Sequence, residues 1–202
     1  MLKFVLLGDS LTYGFAVPQE KKWSVLLQQR RIDVDFINKG ICGDTTGGML
    51  ARFADDVKAE RCKYVLIMGG INDLIAECDI GVVQGNLMAI AHQAYHEKII
   101  PLLGIQPLVE AALICPSWRK FKNFNRVNSQ ISQLRQWILS FCVTFGIYYV
   151  DIYDCFQKHQ YVQLFADGLH PNLIGNEIIA DEVETMINII TANSAGNVDY
   201  KA

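Results

Sequence analysis

No segment of this sequence is apolar for long enough to cross a bilayer. The most apolar long stretch, Trp137 to Val150, falls short of the roughly 20 residues a spanning helix needs, and Gly146 divides it into a helix end and a strand. An excess of positive charge is also missing: 18 Lys and Arg stand against 21 Asp and Glu, a formal net charge of −3. Nothing in that balance attracts a phosphate backbone, so no nucleic-acid partner is expected. The six cysteines, Cys42, Cys62, Cys78, Cys115, Cys142 and Cys155, include no CxxC pair and no spacing that suits a metal. Buried free thiols are expected, and no metal or organic cofactor. Only four apolar residues stand between Lys3 and Gly8, too few for the core of a secretory signal. With unpaired thiols and no leader, the expected location is the cytoplasm.

What is present is a folded core. The 202 residues are 51% apolar and 19% charged, with a mean hydropathy of +0.18, which fits one domain over about residues 1 to 192 and a polar, loose tail over 193 to 202. Short β-rich runs at Lys3–Leu7, Asp35–Asn38, Lys63–Met68, Ile99–Leu103 and Ile147–Val150 are each followed by a longer stretch of helical periodicity. Several runs are apolar at consecutive positions, as parallel strands covered on both faces must be. The expectation is an α/β protein, a three-layer α/β/α sandwich. Helices are expected over Ser24 to Arg31, over Phe124 to Phe145 with an end at Gly146, and over Asn172 to Ile190 behind Pro171. In such a sheet the chemistry belongs outside the carboxyl ends of the strands.

Four polar clusters fall at that edge. Gly8-Asp9-Ser10-Leu11-Thr12-Tyr13-Gly14 follows the first strand, Asn38 to Thr45 with Gly43 follows the second, Gly69-Gly70-Ile71-Asn72-Asp73 follows the third, and Asp167-Gly168-Leu169-His170-Pro171 precedes the last helix. Glycines around Ser10 permit a tight strand-to-helix turn that leaves a hydroxyl exposed. No Lys precedes a Ser or Thr there, so the loop is not a phosphate-binding Walker motif. Histidine is the side chain suited to accept a serine proton near neutrality, and an Asp three residues earlier can turn back through Gly168 to take its other ring N–H.

In this order, GDSLTYG, the Gly43 loop, GIND and DGLHP resemble the four blocks of the SGNH (GDSL) hydrolase family, and the resemblance spans Gly8 to Pro171. It implies a five-stranded parallel, flavodoxin-like sheet and a serine hydrolase of carboxylic esters or thioesters that needs no cofactor. It implies Ser10 as nucleophile, His170 as base and Asp167 as its orienting acid. The oxyanion hole it implies is made by the backbone N–H groups of Ser10 and Gly43 and the side chain of Asn72. The family includes lysophospholipases, acyl thioesterases, arylesterases and carbohydrate deacetylases. Cys42 and Asp44 flank the Gly43 donor, a local departure from the family's pattern.

Other readings of the same residues are a Ser10 that only caps a helix, an Asn72–Asp73 turn, and an Asp167–His170 capping pair; with those, the chain is a small-ligand binder or a scaffold on the same fold. Asp9 is expected to tie down its turn, not to act as a base. His92 and His96 stand four apart with no third ligand evident, so a solvated helix face is expected. The long connection from Gly104 to Asn123 carries Leu108, Val109, Leu113, Ile114 and Trp118, an apolar set expected to shelter an acyl chain. Arg119, Lys120 and Lys122 are placed to meet an anionic head group. The opposite expectation is that this loop packs on the sheet beneath a solvated basic rim.

Overall fold

The computed structural model describes residues 2–195. Five strands, β1 (Leu2–Gly8), β2 (Val34–Gly40), β3 (Tyr64–Met68), β4 (Ile100–Ile105) and β5 (Tyr148–Asp151), form one parallel sheet in the order β2-β1-β3-β4-β5. The helices are α1 (Ser10–Tyr13), α2 (Trp23–Arg30), α3 (Thr46–Ala51), α4 (Phe53–Asp56), α5 (Ile71–Ile75), α6 (Ile80–His96), α7 (Pro116–Phe121), α8 (Phe124–Phe145), α9 (Ile152–Lys158) and α10 (Leu173–Ala195). None of the helices in the described residues is long and apolar enough to cross a membrane.

The two-residue period of a strand sorts the core into two halves. Along β1, Val5 and Leu7 face a cluster with residues of α3, α4, α5, α6 and α8, while Phe4 and Leu6 face one with residues of α1, α2, α9 and α10. Both faces of the central strands are thereby covered, which is why they read as unbroken apolar runs. In α8 the three-and-four spacing of Val127, Ile131, Leu134, Ile138 and Phe141 buries one stripe. The helix stops at Gly146, whose φ of +64° lies in the left-handed region open to glycine.

Several boundaries differ from the sequence expectation. β2 runs on to Gly40 because its backbone pairs with β1 residue by residue, from Val34 opposite Leu2 to Gly40 opposite Gly8, whatever the polarity of Asn38 and Lys39. Helix α2 opens at Trp23, and Ser24 accepts a hydrogen bond from Asn38 Nδ2 at 2.8 Å. Helix α10 continues past Ile190 to Ala195, so residues 193 to 195 of the expected loose tail are helical; 196 to 202 lie outside the described residues.

Because all five strands run the same way, the connections leaving β1, β2, β3 and β4 emerge at one edge of the sheet. The start of α10 is held against α2 by Asn176, which is 1% exposed. Its Oδ1 accepts the Trp23 N–H at 3.1 Å, and its Nδ2 donates to the Pro171 and Asn172 carbonyls at 3.0 Å each. Replacing Asn176 by Ala strands these buried groups without water. Urea unfolding of Asn176→Ala is expected to show a loss of about 2–3 kcal/mol, and a loss below about 0.5 kcal/mol would mean that the junction does not depend on this amide.

Candidate active site

Asp9, not Ser10, caps α1: its Oδ1 accepts the Leu11 N–H at 2.9 Å. The Ser10 hydroxyl is therefore free of capping duty and lies 3.1 Å from Nε2 of His170. The far side of that imidazole is held by Asp167, whose Oδ2 is 2.7 Å from His170 Nδ1. An ionised carboxylate only accepts, so Nδ1 carries the proton and Nε2 offers its lone pair to the serine. Burial pushes the Asp167 carboxyl up. Hydrogen bonds from the His170 ring and from the N–H groups of His170 (2.8 Å) and Leu169 (3.0 Å) outweigh it and hold the group below its ordinary range. The tight turn needs Gly168, which has φ +91° and lies where a side chain would strike the Glu110 carbonyl and the Ile114 N–H. The Glu110 N–H donates to the Gly168 carbonyl at 2.8 Å and braces the turn from outside.

Gly43 has φ +80° in a turn closed by the Asp44 N–H on the Ile41 carbonyl, with open space around its Cα. Asn72, in the first turn of α5, donates from Nδ2 to the Asp44 carbonyl at 2.9 Å, which ties α5 to the Gly43 loop. Its neighbour Asp73 is buried and strengthens the tie: its two carboxylate oxygens accept from Thr46 N at 2.9 Å and Thr46 Oγ1 at 2.8 Å. Arg52 closes the other side with bonds to Asp44 Oδ2 (2.8 Å) and to the Gly8 carbonyl (2.9 Å).

Sequence reading missed two participants. Gln106, just past β4, bridges Asp9 Oδ2 (2.7 Å) and the Ile71 N–H (2.9 Å); its signal was only its place beyond a strand's carboxyl end, inside an otherwise apolar run. Phe15 packs on His170 with ring centroids 4.5 Å apart and is 44% exposed. It stands one residue beyond the Gly8 to Gly14 motif, where no spacing rule marks it.

The apolar residues expected to meet an acyl chain divide. Ile114 and Val109 are each 4% exposed and belong to the core, and Leu108 packs against it. Asn128 fixes this stretch by accepting the Val109 N–H at 2.8 Å and donating to its carbonyl at 2.9 Å. The first half of the connection is thus a braced wall, because a side-chain amide satisfies its backbone as a strand would. Leu113 and Trp118 are exposed, the latter in α7 beside Arg119 and Lys120, while Lys122 pairs with Glu77 at 3.3 Å. A cavity of about 620 Å³ has Leu108 and Val109 in its wall but none of Ser10, Asn72 and His170. His92 lies edge-on to Phe145, and among the described residues no group of three His, Cys, Asp or Glu side chains converges as a metal site.

The fold is an α/β/α sandwich with this polar edge outside the carboxyl ends of its strands. Residues 6–178 match the family model of the GDSL-like lipase/acylhydrolases, and the chain belongs to that family. It is similar to an arylesterase of Vibrio mimicus, 28% identical over 203 residues that cover 90% of this chain and 86% of that one. It is also similar to the thioesterase 1/protease 1/lysophospholipase L1 of Escherichia coli K12, 25% identical over 88% of this chain and 79% of that one. The crystal structure of a lipase/acylhydrolase from Enterococcus faecalis shares the fold with a TM-score of 0.79 at 24% identity, over the whole of both chains. The protein is an ester-hydrolysing enzyme of the GDSL type.

Asp9 adds a pH dependence to the fold. Complete burial, against the hydrogen bonds from Gln106 and Leu11 and helped by the nearby Asp44 and Asp73, pushes its carboxyl from 3.8 up to about 7. Between those values the folded protein keeps a proton that the unfolded chain has released. This group therefore lowers stability as pH rises from about 4 to about 7, by up to about 1.4 kcal/mol per pH unit. Urea unfolding across that range should show Asp9→Asn gaining on the wild type as pH rises and the gap levelling above about 7; a constant gap would show that Asp9 does not titrate there.

Proposed function

We propose that the enzyme hydrolyses carboxylic esters or thioesters through an acyl-enzyme on Ser10, with His170 as general base and Asp167 as its orienting partner. The observation that supports this most is the unbroken contact from Asp167 through His170 to Ser10. His170 accepts the serine proton as Oγ attacks the carbonyl carbon, and Asp167 stabilises the imidazolium that forms. The oxygen of the tetrahedral intermediate is received by the N–H groups of Ser10 and Gly43 and by the Asn72 amide. These are neutral donors that strengthen as charge develops. His170 then gives its proton to the leaving oxygen or sulfur, and water repeats the sequence on the acyl-enzyme.

The leaving group must lie on the His170 side, since that ring protonates it. Phe15 is half-exposed on that side, and with the likeness to an arylesterase it supports esters with an apolar or aromatic leaving group. The exposed Leu113 and Trp118 are the part of the long connection that remains for acyl contact, and the buried Val109 and Ile114 hold its base. Of the six free thiols only Cys62 and Cys142 are buried, while Cys42, Cys78 and Cys115 are exposed against the expectation of burial; thiols left unpaired at the surface fit a cytoplasmic, reducing setting.

Intact-mass measurement after exposure to a fluorophosphonate is expected to show one stoichiometric adduct that disappears in Ser10→Ala. A wild type that stays unlabelled would favour a non-catalytic binder. On p-nitrophenyl esters, Asn72→Ala should lower kcat by about a hundred- to a thousandfold with KM little changed. A change in KM alone would remove Asn72 from the oxyanion hole.

A further inference from the structure

Asn72 depends on a carrier that cannot hold itself. Helix α5 has only five residues and follows an N-cap, Gly70, with φ +126° and no side chain to cap it, so its intrinsic stability is negligible. Its first N–H, that of Ile71, is met by Gln106. A backbone N–H only donates, so the Gln106 atom 2.9 Å away must be the amide oxygen. The NH₂ of the same amide then faces Asp9 Oδ2 at 2.7 Å, and the other Asp9 oxygen accepts from Leu11, the residue after Ser10. With Asp9 ionised, every bond in this chain has one possible polarity. Gln106 is 6% exposed and Asp9 is fully buried, so water does not substitute for either.

We propose that Gln106 is a positioning residue for the oxyanion hole, joining the start of α5, and with it Asn72, to the turn that carries Ser10. The inference rests on the reading of Asn72 as an oxyanion donor. Gln106 touches no reacting atom. It sets the distance between two donors that must point at one oxygen, and a misplacement of about 1 Å can cost about a hundredfold in rate.

The polarity of the relay supplies its test. In Asp9→Asn, oxygen must still face the Leu11 N–H, so two amide NH₂ groups confront each other; turning Gln106 over moves the conflict to the Ile71 N–H. In Gln106→Glu two carboxyl groups face each other, and once pH is high enough to remove the proton they would share, both are charged with no donor between them. In the double variant D9N/Q106E, the amide now at position 9 donates to the carboxylate now at position 106, and that carboxylate still accepts from the Ile71 N–H. Every bond is thereby restored at unchanged volume. On a p-nitrophenyl ester at alkaline pH, each single variant is expected to lower kcat by about 10- to 100-fold with KM within about threefold. The double variant should return to within about fivefold of the wild type. Thermal melts of all three report folding, and if a single variant fails to fold the double still carries the comparison. Singles with undiminished kcat, or a double no better than the worse single, overturn the relay. Asn72→Ala, assayed alongside, separates the two ideas. If it leaves kcat intact, the oxyanion reading falls and the relay with it. If it loses kcat while Gln106→Glu does not, the relay alone falls.

Discussion

The hydrogen bond between Ser10 and His170 joins residues 160 positions apart, and the rest of the molecule exists to make that distance small. A parallel sheet delivers one half of the contact directly, since β1 must end at the edge where every other strand ends. The other half arrives by a longer route. His170 lies between β5 and α10, in a segment with no strand to aim it, and it is held by the antiparallel bridge of Phe165 with Pro171, made by the Ala166 N–H on the His170 carbonyl and the Asn172 N–H on the Leu164 carbonyl, and by the Glu110–Gly168 bond. Asn176 then fixes Pro171 to α2 on the far face. The turn that carries the imidazole is therefore held by this bridge, by Glu110 and by Asn176.

Buried charge organises the opposite side of the edge. Asp9, Asp44 and Asp73 converge there, and each has a defined set of donors: Leu11 and Gln106 on Asp9, Arg52 and Thr45 on Asp44, and both Thr46 groups on Asp73. Removing such groups from water is costly unless hydrogen bonds replace hydration, and here the replacement also fixes geometry. The three loops after β1, β2 and β3 cannot drift apart without exposing one of these carboxylates to an unpaired interior. One carboxyl of the three, Asp9, has its proton held more tightly than in water, which spreads the negative charge more thinly across the cluster.

The layered α/β architecture was legible because its signal is strong: unbroken apolar runs at β1 and β3, and the stripe of α8 with Gly146 at its end. The edge strand β2 was under-read, because hydropathy sees Asn38 and Lys39 while the ladder sees only backbone. The motif residues were legible for a related reason, since glycines and short polar side chains at strand ends stand out against apolar neighbours. Their supports were not. Gln106 sits in the run Gly104-Ile105-Gln106-Pro107-Leu108, where a single amide looks like an interruption, and only the fold reveals that both of its ends are engaged. Val109 and Ile114 read as a possible pocket wall because sequence cannot tell an apolar residue facing substrate from one facing the core.

That ambiguity has a physical source at the long connection after β4. An irregular segment with buried backbone must satisfy its N–H and C=O groups somehow, and Asn128, from one turn of α8, does this for Val109 by a pair of bonds that imitates a neighbouring strand. Once Val109 is fixed, Leu108 and Ile114 are drawn into the core, and the chain from Glu110 can brace Gly168. The connection is thus structural in its first half and exposed in its second, where α7 presents Trp118 and Phe121 outward. Changes in that second half leave the bracing of the His170 turn untouched, whereas a change at Asn128 would reach the imidazole through Val109, Glu110 and Gly168.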